Sequence, residues 1–181
     1  IAHYEDRQYV LNGKALIVCM SRKVAYYGIF SALAILMGYV EAVIPMPLPP
    51  GIKLGLSNVI VVLCMYVMGR KEAFFISVVR VLISALLFKG FVGLWYSLAG
   101  AFLSYFAMLV IYKLNKASII GVSVTGGVFH NIGQIAVACI MLGRNVVLYL
   151  VPVLMVSGVV TGVVIGIIAK YCVAYVDRKM N

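Results

Sequence analysis

The residues with the clearest chemical potential are polar side chains set inside long apolar stretches. His130 and Gln134 are four residues apart, and Asn131 and Gln134 three apart, so a helix places them on one side. Arg80 lies near the middle of another apolar stretch. A charged side chain at that depth in a bilayer costs at least about 2.5–3.5 kcal/mol unless it meets a partner or water. These residues therefore predict a binding site in the interior of the protein.

The elements that must position these residues are membrane-spanning helices. The chain of 181 residues is 65% hydrophobic and 11% charged, with a mean hydropathy of +1.12, which is too apolar for a soluble domain. Apolar runs of about 17–25 residues are typical of transmembrane helices. We predict an all-α fold, a polytopic membrane bundle of six transmembrane helices at Val24–Ile44, Leu54–Met68, Ala73–Phe88, Phe91–Tyr112, Ile119–Leu142 and Val146–Val176. The second and third are short, so they must lie flat, thin the bilayer or be broken.

The distribution of lysine and arginine predicts the orientation. One side of the spans carries Arg22, Lys23, Arg70, Lys71, Lys113, Lys116, Arg178 and Lys179, and the other carries Lys53, Lys89 and Arg144. By the positive-inside rule, both termini are cytosolic. We expect a multi-pass protein of the bacterial cytoplasmic (inner) membrane, surrounded by the lipid bilayer. Because this rule accounts for most of the net charge of +10, no nucleic-acid partner is expected.

The polarity of the chain divides it into three parts. Residues 1–22 are more polar and form an N-terminal extension whose origin is open, residues 23–177 form the transmembrane domain, and residues 178–181 form a cytosolic tail. The segment Asn12–Arg22 resembles a strand in the helicase motor of type I restriction subunits. This resemblance implies a fusion or assembly artefact and no helicase activity. Since the chain does not begin with Met, we expect a fragment or an open-ended gene call.

Under this topology, polar residues from four spans converge in the outer half of the membrane. They predict a substrate-binding pocket that opens to the outside, formed by Glu41, Lys53, Asn58, Arg80, His130, Asn131 and Gln134, together with Trp95 from a fifth span. Trp95 is either a stacking wall of this pocket or part of an interfacial aromatic belt. Glu41 is the acid available to Arg80. Because the cations outnumber this acid, the pocket favours an anionic or strongly polar group.

The chain lacks the sequence motifs of several classes of enzyme. Its two aspartates, Asp6 and Asp177, cannot form the Asp-rich motifs of a prenyl diphosphate synthase. His3 and His130 are not placed as the ligands of a metalloprotease. There is no GxSxG elbow and no Walker A motif. We therefore expect no catalytic residues, no metal, no cofactor and no enzymatic activity.

One segment resembles a known family. The residues Ile-Pro-Met-Pro-Leu-Pro-Pro-Gly-Ile-Lys-Leu-Gly-Leu-Ser-Asn-Val at Ile44–Val59, after the first of six short spans, resemble the Gx transporter family. This family is also described as heptaprenyl diphosphate synthase component I, and it resembles the S components of energy-coupling factor (ECF) transporters. The likeness covers Lys23 to Asp177, and Pro50–Asn58 is its most specific part.

The resemblance implies a fold and a set of partners. S components are six-helix bundles with an outer substrate pocket, which the loop Pro45–Ile52 would cap here. Small residues on the first helix dock on a transmembrane coupling subunit, and Ala25, Gly28 and Ala32 match that stripe. By themselves, Gly28 and Ala32 indicate either packing within the bundle or a partner interface. Two cytosolic ATPases would drive transport, during which the S component topples in the membrane.

Three hypotheses about function remain open. The first is an S component of an ECF-type importer, which captures a small anionic or isoprenoid- or quinone-related molecule from outside. The second is a non-catalytic membrane subunit of heptaprenyl diphosphate synthase, in menaquinone or isoprenoid biosynthesis, with a soluble partner that carries the Asp-rich motifs. The third is a small channel or scaffold that binds no ligand saturably.

Overall fold

The structure, a computed structural model, describes residues 24–41, 43, 55–114, 117–143 and 147–180. Within these ranges the regular elements are all helical, as predicted for an all-α protein. We number the helices in chain order as α1 Val24–Glu41, α2 Leu56–Val67, α3 Arg70–Ser84, α4 Gly90–Lys113, α5 Ile119–Leu142 and α6 Val151–Met180. A π-helical segment, Ala85–Lys89, joins α3 to α4.

Four of these helices are long and apolar enough to cross a membrane, namely α1, α4, α5 and α6. Helix α2 is also apolar, but it has 12 residues and is shorter than the usual span. Large apolar side chains are exposed along the long helices, as expected for surfaces that face lipid. These features identify a multi-pass membrane protein.

The short helix α2 lies at the centre of the hydrophobic core. Its Val61, Val62 and Met65 side chains are each 1% exposed. They belong to one buried cluster with Ile76 of α3 and Val122 of α5. Because the neighbouring helices cover α2, few of its side chains are left to face lipid, and the helix does not need the length of a lipid-exposed span.

Helices α5 and α6 approach each other closely through glycine. Gly158, Gly162 and Gly166 repeat every fourth residue on α6 and face α5. A β-carbon on Gly162 would lie 2.6 Å from the Val124 Cα atom, and one on Gly166 would lie 2.7 Å from the Ile120 Cα atom. No side chain fits at these distances. Small residues at a spacing of four are typical of contacts between membrane helices, but this stripe was not among the predicted contacts.

The bounds of the helices differ most from the prediction at α3, which is Arg70–Ser84 instead of the predicted Ala73–Phe88, and at α6. The predicted span begins at Val146, which lies outside the described residues, and α6 begins at Val151 after a turn in which the Leu150 amide donates to the Val147 carbonyl at 3.0 Å. Pro152 then lies in the first helical turn, where a missing N–H is tolerated. At the other end α6 continues to Met180, beyond the predicted Val176, because neither proline nor glycine follows Gly166.

Substitution of Gly162 by leucine tests the close contact between α5 and α6. The added side chain would meet the α5 backbone, so we expect a loss of stability of about 1–3 kcal/mol or more. The measurement is the midpoint of unfolding in mixed micelles of mild detergent and sodium dodecyl sulfate. Val163→Leu is the matched control, since that neighbouring side chain is 36% exposed. Equal midpoints for the two variants would contradict the proposed packing.

Candidate functional site

A cavity of about 90 Å³ lies where α1 ends and α2 begins. All six helices and the π-helical segment contribute to its wall. Six of the eight residues predicted for substrate binding line it, namely Glu41, Asn58, Arg80, His130, Asn131 and Gln134. The tertiary structure therefore brings together residues that are up to 93 positions apart in the chain, from Glu41 to Gln134.

Arg80 is the most deeply buried of the charged residues in this wall. Its side chain is 6% exposed. The Nη1 group donates a hydrogen bond to the Ser57 hydroxyl of α2. Its Nε atom is buried and has no hydrogen-bond partner among the described residues. The guanidinium is thus held by one neighbouring helix, and this hydrogen bond uses only one of its five N–H donors.

Glu41 holds the start of α2 rather than pairing directly with Arg80. Its Oε1 atom accepts a hydrogen bond of 2.6 Å from the Gly55 amide. Gly55 has φ of +69°, a left-handed conformation that glycine adopts without steric cost. Glu41 still interacts electrostatically with Arg80 across the cavity. Glu41 is the acid predicted to be available to Arg80, whereas the direct hydrogen-bond partner of Arg80 is Ser57.

His130 and Gln134 form a pair along one side of α5. The His130 Nε2 and Gln134 Nε2 atoms are 3.2 Å apart, which agrees with their spacing of four residues. Gly100 of α4 makes room for the imidazole, since a β-carbon there would lie 2.8 Å from the His130 Cε1 atom. Both side chains line the cavity, so they offer it directional hydrogen-bonding groups.

Asn131 has a different role in the wall. Its Nδ2 group donates to the Leu154 carbonyl at 2.5 Å and contacts the Ser157 hydroxyl at 3.4 Å. These bonds tie α5 to α6 beside the close glycine contact at Gly158, whose added β-carbon would lie 2.9 Å from the Asn131 Nδ2 atom. Asn131 therefore stabilises the wall of the cavity, and its amide donors are already used.

The remaining predicted residues lie elsewhere. Lys53 is outside the described residues. Trp95 is 50% exposed, contacts Phe91 with ring centroids 6.1 Å apart and does not line the cavity. The predicted docking residues are all exposed on α1, namely Ala25, Gly28 and Ala32. A β-carbon on Gly28 would meet no atom within 4 Å, so this side of α1 is open.

Sequence reasoning missed several small polar residues of the wall. They are Ser57, Ser84, Ser97 and Thr161. The spacing of Ser84 from Arg80 places both on one side of α3 and would have identified it. Phe88 also lines the cavity and was not predicted. It belongs to the π-helical segment, and a pattern of apolar residues does not indicate where such a segment occurs. Among the described residues, no group of three or more His, Cys, Asp or Glu side chains is placed to hold a metal ion.

Replacement of Ser57 by alanine tests how Arg80 is held. The buried guanidinium would lose its hydrogen bond to α2, so we expect a loss of stability of about 1.5–3 kcal/mol. The measurement is thermal unfolding of the purified protein in detergent. The matched control is Ser77→Ala. Ser77 is a buried serine of α3 that lines a separate small pocket. If both variants unfold at the same temperature, Ser57 does not support Arg80.

The chain matches a known protein family. The model of the family described as heptaprenyl diphosphate synthase component I matches residues 30–172. No curated protein and no solved structure matches the chain significantly. The matched range contains every described residue that lines the cavity. The chain belongs to the heptaprenyl diphosphate synthase component I family.

Proposed function

We propose that this protein is the substrate-binding S component of an ECF-type importer. It captures a small anionic or isoprenoid- or quinone-related molecule from outside and passes it inward. The observation that carries the proposal is the buried Arg80 at a polar cavity built from all six helices. Since burial of an unpaired charge is costly, such a residue within a membrane bundle favours a role in ligand binding.

The composition of the wall supports capture rather than catalysis. Its ionisable and amide groups hold hydrogen bonds to the bundle: Glu41 to the Gly55 amide, and Asn131 to the Leu154 carbonyl. Arg80 retains a donor without a partner among the described residues. Fixed donors around a small cavity recognise a ligand without changing its covalent bonds. We therefore propose that the protein itself is not an enzyme.

The proposal includes six membrane-embedded helices with both termini in the cytosol of a bacterium. Helix α3 and the following π-helical segment run without a break from Arg70 to Lys89, which is long enough for one crossing. Helix α2 spans about 18 Å at 1.5 Å per residue, and its core position allows a short path inside the bundle. The positive-inside distribution of Lys and Arg supplies the orientation.

The proposed partners are a transmembrane coupling subunit and two cytosolic ATPases. Of the four helices long enough to cross a membrane, α1 has the smallest buried share, since only 6% of its residues are buried. Gly28 and Ala32 are exposed on this helix, one turn apart. Small residues let a second helix approach closely in lipid, so this side of α1 suits a partner helix.

The description of the family favours a second candidate function. A membrane component of heptaprenyl diphosphate synthase would anchor a soluble subunit that carries the Asp-rich motifs, and it would take no part in the chemistry itself. In that case the partner would bind on the cytosolic side, and no ATPase would be associated with the complex.

The identity of the partners separates the two candidates. We expect purification from native membranes in mild detergent to recover a transmembrane protein together with two ATPases, identified by mass spectrometry. Recovery of an Asp-rich prenyl synthase without ATPases would instead establish the second candidate. Recovery of neither would contradict both.

The variant Gly28→Leu tests where the partner docks. We expect it to fold normally, since an added β-carbon meets nothing within 4 Å, but to lose the coupling subunit in the same purification. Ile29→Leu is the control, because Ile29 is 55% exposed on α1 and lies outside the small-residue stripe. A soluble synthase partner would remain bound to both variants. Retention of the coupling subunit by Gly28→Leu would show that it docks elsewhere.

A further inference from the structure

Two opposite charges face the same cavity without joining each other. Arg80 on α3 and Glu41 at the end of α1 both line it. They interact electrostatically, yet each makes its hydrogen bond to a neutral group: Arg80 to Ser57, and Glu41 to the Gly55 amide. No direct ion pair connects the two residues in the described part of the chain. A ligand can therefore lie between these charges and contact both.

The arginine offers one part of its guanidinium to such a ligand. Its Nη1 group is engaged by Ser57, while the buried Nε group has no partner among the described residues. A guanidinium binds a planar carboxylate through parallel N–H donors, and this geometry gives both strength and direction. Because Arg80 lines the cavity, a carboxylate there would supply acceptors for guanidinium donors that Ser57 leaves unused.

The glutamate places a second requirement on the ligand. One of its oxygens accepts from Gly55, and an ionised carboxylate has further acceptor sites. A ligand with negative charge alone would be attracted by Arg80 but repelled by Glu41, since both interactions act across the same small space. A ligand that also carries a positive group avoids this repulsion and gives Glu41 a charged donor.

We propose that the ligand is a small zwitterion, with a carboxylate that binds Arg80 and an ammonium group that binds Glu41. This inference rests on the proposed function and names the chemical class of the captured molecule. The formal charges of these two side chains cancel, so the cavity favours a head group that is neutral overall. The His130–Gln134 pair and Asn58 lie in the same wall and orient the head group through hydrogen bonds.

The size of the cavity also restricts the head group. Its volume of about 90 Å³ is several times the ~10–15 Å³ that one buried water molecule needs, so the cavity has room for a small polar head group. This space suits the head group of an amino acid. A diphosphate is bulkier and carries more than one negative charge, which the single arginine among the described residues in the wall cannot balance.

The test uses matched probes on the full chain purified in detergent. L-alanine is the zwitterion, propionate lacks its ammonium group, ethylamine lacks its carboxylate, and inorganic diphosphate represents the alternative head group. Thermal unfolding is recorded against the concentration of each probe, because a bound ligand raises the midpoint according to its dissociation constant. We expect L-alanine to raise the midpoint at a lower concentration than the other three probes.

A charge-neutral variant makes the test specific to Glu41. Glu41→Gln keeps an oxygen that can accept from Gly55 but removes the negative charge. We expect it to bind L-alanine at least about tenfold more weakly and to bind propionate more tightly, which would reverse the order of the two probes. The control is Glu72→Gln, because Glu72 lies in the first turn of α3, away from the cavity, and should leave both affinities unchanged.

The possible outcomes separate this inference from the proposed function. The proposal of a zwitterionic ligand is wrong if L-alanine raises the unfolding midpoint no more than propionate does. It is also wrong if Glu41→Gln leaves the order of affinity of these two probes unchanged. A stronger effect of diphosphate would also overturn it, while still agreeing with an importer of anionic molecules. The importer itself fails only if no coupling subunit and no ATPases are recovered with the protein, and that measurement does not involve the probes.

Discussion

The buried guanidinium of Arg80 is the constraint on which the site depends. A permanent positive charge in an apolar bundle is tolerated only where polar groups surround it. Ser57 of α2 accepts its hydrogen bond, and Glu41 of α1 provides a negative charge nearby. Glu41 in turn holds the Gly55 amide at the start of α2. The arginine thus links the placement of three helices to the chemistry of one cavity.

The opposite wall of the cavity depends on close contact between helices. Glycines on α6 bring its backbone against α5, and Asn131 bonds to the α6 backbone beside them. Gly100 of α4 leaves the space that the His130 ring occupies. These contacts fix the side of α5 that carries His130 and Gln134. A small polar cavity can persist in this bundle because the helices around it are rigidly packed and cannot collapse into it.

The sequence predicted the fold better than it predicted the site. Apolar runs indicated every helix, and α5 has the predicted bounds, since Ser118 caps its start and Gly143, at φ of +86°, follows its end. The polar residues of the wall were mostly identified because each is exceptional within an apolar stretch. Their partners were not, since the contact between Arg80 and Ser57 joins residues 23 positions apart. Such a pairing depends on how α2 and α3 pack against each other. The periodicity of residues within one helix does not predict this packing.

The description of the family and the chemistry of the cavity point to different head groups. A heptaprenyl diphosphate would bring several negative charges, and proteins that hold such groups surround them with several cations or with metal ions. The described wall has one arginine, which a glutamate faces across the cavity. The apolar bundle makes this balance more important, because an excess charge is screened less inside a protein than in bulk water. A ligand whose own charges cancel is therefore the one that this pair of side chains can hold at the least electrostatic cost.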